Sequence, residues 1–188
     1  MFIEKLRATT AHLHKALEEG PYSVKLLSDD VTMADYRIYL AKLYGFLLPF
    51  EDIVLPGLEK QFPQLGGLHK APLIAQDLLA LEFDVNKIPL MASADIGSLY
   101  PKPYSSLGGL YVLEGSTLGG MVIYKHLQKT IGSMEGKASY FTVYGAHTGS
   151  KWMQFLQQFS FIAEARGAED EVIDGAVQTF KALKDWMK

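Results

Sequence analysis

Arg7, His14 and Glu18 stand in the segment LRATTAHLHKALEE (6–19), spaced by seven and four residues. On a helix that spacing puts all three on one face. A carboxylate one turn beyond a histidine can take the imidazole Nδ1 proton, which fixes the tautomer and leaves Nε2 to bind a metal. A guanidinium two turns earlier adds an anion contact. The row therefore offers a metal ligand, its partner and an anchor for a charged ligand. It also has a plain account, a solvated histidine in an i, i+4 pair worth about a few tenths of a kcal/mol. His12 points to the opposite side of such a helix and cannot share a metal with His14. His69 follows a Gly-Gly pair, His126 lies past a glycine-rich stretch, and His147 sits in an aromatic loop. None forms a second cluster with metal spacing, and no H-E-x-x-H or Ser-His-Asp pattern is legible.

The second unusual stretch is LYVLEGSTLGG (110–120), preceded by Gly108 and Gly109. Glycine costs about 1 kcal/mol relative to alanine inside a helix. Leu110, Leu113, Leu118 and Val122 nevertheless continue an apolar helical pattern through it. Gly108, Gly115 and Gly119 fall within roughly 40° of one another on a helical wheel. Gly109, Ser116 and Gly120 form a second small-residue stripe, and Tyr111 stands at the edge of the bare face. Two readings stay open. A neighbouring helix packs closely on the glycines, as in G-x-x-x-G pairs, or a flat ligand lies against bare backbone, with Ser116 and Thr117 supplying hydroxyls to ordered water. A phosphate loop is excluded, because no Gly-Lys-Ser/Thr follows.

These residues must be positioned by helices. The spacing predicts one over 2–19, ended by Gly20-Pro21. A long one runs from an N-cap at Thr32, with Asp35 as capping-box partner, and is kinked or divided by Pro49. Pro56-Gly57 and Pro63 are expected in loops. A third helix begins at APLIAQ with proline in its first turn. The segment SADIGSLYPKPYS is read as a loop, 104–130 as one glycine-bearing helix, and YFTVYGAHTG as a loop. Two amphipathic helices close the chain. No segment alternates with period two for long, and there is no internal repeat. The expectation is a single all-α domain over 1–188, built from five to seven helices.

Composition narrows the chemistry. The 188 residues include no cysteine, which excludes disulfides, thiolate metal sites and a cysteine nucleophile. A net charge of −3 gives no electrostatic case for nucleic acid. The apolar stretch nearest a membrane span, 107–123, carries Glu114 at its middle, and the N-terminal segment lacks a long apolar core. A cytoplasmic protein without nucleic-acid or membrane partners is expected.

Taken together, LRATTAHLHKALEE, YVLEGSTLGG (111–120) and YGAHTGSKWMQFL (144–156) resemble the heme oxygenases, specifically their bacterial branch. The resemblance covers nearly the whole chain. The first two segments look like the proximal and distal helices, in the family's order and at about its spacing. It implies an all-α fold that holds heme between a proximal helix and a kinked glycine-rich distal helix. His14 would be the axial iron ligand and Glu18 its partner. Arg7 stands where the family usually has a lysine that contacts a heme propionate, and Tyr111 where a tyrosine does so. Gly115 and Gly119 would lie over the heme, with Gly120 completing the motif. Ser116 replaces the aspartate that mammalian members use to organise distal water, as in bacterial members. The implied activity is cleavage of heme to biliverdin, CO and iron, with O₂ and outside electrons. No flavin or nicotinamide fingerprint is present, so the donor is expected to be a separate protein such as a ferredoxin or a flavin reductase. A phytochrome is one conceivable recipient of biliverdin. The alternative is a carrier or sensor that binds heme on this fold without turnover.

Overall fold

A computed structural model describes residues 1–65 and 69–188. The Gly66-Gly67 pair before His69 lies outside the described residues. Among those described there are ten α-helices, three 3₁₀ turns and no strand.

Helix α1 (Phe2–Glu18) buries Phe2, Leu6, Thr10 and Leu13, a stripe spaced by four, four and three residues. That stripe turns Arg7, His14 and Glu18 onto the flank. Gly20 and Pro21 end α1 as expected but open a short helix, α2 (Pro21–Leu26). Helix α3 (Met33–Ile53) begins with the expected capping box. The Asp35 N–H donates to Thr32 Oγ1 at 3.2 Å and the Thr32 N–H to Asp35 Oδ2 at 2.9 Å.

Pro49 does not divide α3, which runs through it to Ile53. Proline lacks the N–H that would bond the carbonyl four residues back. That carbonyl, Gly45 O, instead accepts the Met91 N–H at 2.9 Å. Gly45 permits the approach, because a Cβ there would collide with the Pro89 carbonyl and the Trp186 ring. The break comes at Val54, before α4 (Leu55–Gln61). Pro56 and Gly57 therefore lie in a first helical turn rather than a loop, where the missing N–H costs no bond. Pro63 opens a 3₁₀ turn.

Helix α5 (Ala71–Ala80) has its proline at the start. Helix α6 (Ser93–Ser98) occupies part of the segment expected to be loop. Helices α2, α4 and α6 have six or seven residues each, fewer than two turns, so they leave no periodic signal.

The glycine-bearing segment divides into α7 (Ser105–Gly115) and α8 (Thr117–Thr130) at Ser116. The Ser116 hydroxyl donates to Leu113 O at 2.7 Å and the Thr117 hydroxyl to Glu114 O at 2.8 Å. Hydroxyls that bond carbonyls one turn back bend helices, and two in succession mark this kink. The turn-rich segment after α8 leads to α9 (Thr148–Ala165) and α10 (Glu169–Trp186).

Helix α10 packs most closely on α7 and next on α1. A Cβ at Gly108 would strike Val172 O and Ala176 N, and one at Gly175 would strike the Ser105 carbonyl. At this crossing the glycines serve backbone-to-backbone packing. Helix α10 thereby holds α1 and the α7/α8 kink at a fixed separation.

Candidate functional site

Between α1 and the α7/α8 kink lies a cavity of about 540 Å³, within the size range of organic-ligand sites. Arg7, His14 and Glu18 line it from α1, and Tyr111, Gly115 and Ser116 from the opposite wall. Phe180 and Leu183 of α10 and Trp152 of α9 close the remaining side. Two stretches separated by about a hundred residues thus face one space.

His14 Nδ1 lies 3.4 Å from Glu18 Oε2, which leaves Nε2 free of that carboxylate. The imidazole stands edge-on to Phe180, with centroids 5.9 Å apart at 73°, so one face is shaped by an apolar ring. Both His14 and Glu18 are exposed, at 59% and 67%, and the pair contributes little to stability. Among the described residues no group of three or more His, Asp or Glu side chains could hold a bare metal ion.

Arg7 and Tyr111 line the cavity from different helices. Burial pushes the Tyr111 phenol up, and the charge of the Arg7 guanidinium pulls it partly back. The Tyr111 ring is fixed by Trp152 at 5.5 Å and stacked on Phe159 at 5.6 Å. Its hydroxyl and the guanidinium add polar groups to a lining that also carries His14, Glu18 and Ser116 beside the apolar Trp152, Phe180 and Leu183.

The glycines separate by environment. A Cβ at Gly115 would meet Trp152 Cη2 at 3.3 Å, whereas at Gly119 nothing lies within 4 Å. Gly119 is exposed one turn beyond Gly115, past the cavity wall. Gly120 corrects the expectation. It is buried, and a Cβ there would come within 2.6 Å of the Phe141 carbonyl. It faces the segment after α8, away from the cavity, so its missing side chain makes room for protein and not for a ligand. Gly109 likewise packs on Tyr100 and Phe50.

Ser116 lines the cavity and its Oγ lies 2.8 Å from the Tyr140 hydroxyl. Thr117 is buried, its hydroxyl held by Glu114 O, and it supplies nothing to the cavity. Sequence reasoning missed three features. Trp152 lies in YGAHTGSKWMQFL, where its type and spacing gave it no role. Glu114 is buried in an ion pair with Lys70 and accepts a hydrogen bond from the Tyr144 hydroxyl at 2.7 Å. Tyr140 had no local signal, because its contact with Ser116 depends on how the chain returns after α8.

The heme oxygenase family's sequence profile matches residues 1–188. The chain belongs to the heme oxygenase family. As a member it is an enzyme that degrades heme to biliverdin. Its structure is similar to that of heme oxygenase from Leptospira interrogans, with TM-score 0.80 and 16% identity over 99% of this chain and 98% of that one. It is also similar to heme oxygenase-1 of the cyanobacterium Synechocystis sp. PCC6803, solved in complex with heme, with TM-score 0.70 and 17% identity over 98% and 91% of the two chains. No curated protein matches the sequence significantly. No helix among the described residues is long and apolar enough to cross a membrane.

Proposed function

We propose that this heme oxygenase binds its substrate in the α1–α7/α8 cavity, with His14 as the iron ligand. The observation that carries the reading is the opposition of the His14–Glu18 pair and a wall stripped of side chains at Gly115, on two sides of one cavity. The residues fit a flat macrocycle with one anionic edge. A single imidazole suffices where the ring supplies the other ligands. Phe180, Leu183 and Trp152 suit an apolar ring face, and the Arg7–Tyr111 end suits carboxylates.

Bound heme supplies the iron that activates O₂ and the ring that is cut, yielding biliverdin, CO and iron. Glu18 accepts a hydrogen bond from the Nδ1–H of His14 and so would fix the tautomer whose Nε2 can bind the iron. The Arg7 guanidinium pairs with a propionate as a charge-assisted contact, and the Tyr111 hydroxyl supports it. This end orients the ring in its plane. Gly115 keeps the distal wall at backbone distance, where a Cβ would meet the Trp152 ring that also lines the cavity. Gly119 leaves the next turn open. Ser116 holds water at the kink, from which protons reach the reacting site. Electrons come from a separate donor protein, a ferredoxin or a flavin reductase, in a cytoplasmic setting, and biliverdin serves a phytochrome where one is present.

The test is a titration of ferric heme followed at the Soret band, then turnover under O₂ with ascorbate or a ferredoxin system. Wild type should bind one heme and form biliverdin. His14→Ala should lose the axial-ligand spectrum and turnover. Matching spectra and affinities would remove His14 from the site, and heme binding without biliverdin would leave a carrier.

A further inference from the structure

Behind the kink, outside the cavity, the Tyr140 hydroxyl meets Ser116. Tyr140 is 2% exposed, and the only hydrogen-bond partner of its hydroxyl among the described residues is Ser116 Oγ at 2.8 Å. A phenol contributes one donor, and a buried donor without an acceptor costs about 1–3 kcal/mol. The Tyr140 O–H must therefore donate to Ser116 Oγ. The Ser116 proton is then committed to Leu113 O, 2.7 Å away. A serine oxygen has two lone pairs, of which Tyr140 takes one, and the second is left for a partner from the cavity that Ser116 lines.

We infer that Tyr140 is a positioning residue for the distal wall. It fixes Ser116 as a pure hydrogen-bond acceptor, so that the group presented to the substrate is a water that donates one proton to Ser116 and keeps the other for the cavity. The inference rests on the proposed place of Ser116 in the heme site.

Two further features hold Tyr140 there. Asp77, fully buried, accepts the backbone N–H groups of Ser139 at 2.7 Å and Tyr140 at 3.0 Å. These anchor the segment after α8 to α5. Gly120 lets that segment approach α8, since a Cβ there would press on the Phe141 carbonyl at 2.6 Å. The glycine that turned away from the cavity thus acts on it indirectly, through Phe141, Tyr140 and Ser116.

Tyr140→Phe removes only the hydroxyl, and Ser116→Ala removes the acceptor. Each variant and the double variant should be compared with wild type in three readouts. These are ferric heme affinity, steady-state biliverdin formation, and the pH midpoint of the visible-spectrum change of the ferric complex. Tyr140→Phe should leave affinity and KM within about twofold, lower kcat about tenfold, as losses of positioning partners do, and move the pH midpoint. In the double variant the tyrosine change should add nothing to Ser116→Ala, because both act on one water. Unchanged kcat and pH midpoint in Tyr140→Phe would overturn the assignment, and so would multiplicative effects in the double variant. If a variant binds no heme, Ser116→Thr, which keeps the acceptor, supplies the comparison. It should keep the wild-type midpoint, and a shift as large as that of Ser116→Ala would also overturn the assignment. A wild-type protein that binds heme but forms no biliverdin would fail the functional reading, and the pH midpoints would still test Tyr140.

Discussion

Replacing Gly119 by alanine puts a methyl group where nothing lies within 4 Å, while the same change at Gly120 drives one to within 2.6 Å of a backbone carbonyl. The two residues are neighbours in α8, so helix propensity treats them alike and space decides between them. At Gly119 the propensity gain of about 1 kcal/mol meets no opposing contact. For a chain of this length about 1 kcal/mol moves Tm by roughly 2–4 °C, so heme-free Gly119→Ala should melt above wild type by about that amount. At Gly120 overpacking against Phe141 costs about 1–3 kcal/mol, which cancels or exceeds the same gain, and Tm should stay level or fall by a few degrees. Gly108→Ala should be worst, because its Cβ would strike the α10 backbone at Val172 O and Ala176 N, which no side-chain rotation relieves. Gly115→Ala lies between them, with Trp152 at 3.3 Å able to yield by a few tenths of an ångström. The assay is thermal unfolding of the heme-free proteins followed by circular dichroism, with biliverdin formation measured beside it. Gly115→Ala should misdirect or slow turnover while its heme-free stability stays near wild type. Equal destabilisation by Gly119→Ala and Gly120→Ala would refute the assignment of different environments to the two residues. A stable Gly115→Ala protein with normal turnover and product pattern would remove Gly115 from the distal wall.

Glu18→Ala should weaken heme binding or activity about 10–100-fold, less than His14→Ala, as Soret titration and turnover would register; an effect as large as that of His14→Ala would contradict its supporting role. The double variant Arg7→Ala with Tyr111→Phe should lower heme affinity or change the ratio of biliverdin isomers separated by chromatography, and an unchanged affinity and ratio would remove both from the propionate end. Glu114→Gln leaves Lys70 buried beside a neutral partner. Breaking such a pair costs about 3–5 kcal/mol, so Tm should fall by roughly 10 °C. A change within a degree or two would mean that Lys70 reaches solvent or another anion.

The row Arg7–His14–Glu18 was legible because helical periodicity alone puts it on one flank, and the buried stripe Phe2, Leu6, Thr10 and Leu13 left nowhere else for it to go. The kink was half legible. Glycines, Ser116 and Thr117 marked the place, but whether the hydroxyls faced a ligand or their own backbone is a tertiary fact, and both bond carbonyls three residues back. The same limit explains why one pattern of small residues could not say which of its members served packing. Gly108 faces α10, Gly109 faces Tyr100 and Phe50, Gly120 faces Phe141, Gly115 faces Trp152 across the cavity wall, and Gly119 faces open space. A wheel separates directions around a helix. It does not say what stands in each direction, and the axis itself bends at Ser116. Packing surface and ligand surface are therefore not alternatives for one stripe. Close packing at Gly108 and Gly120 fixes the neighbours that leave Gly115 and Ser116 facing a cavity, so the open wall depends on the filled ones.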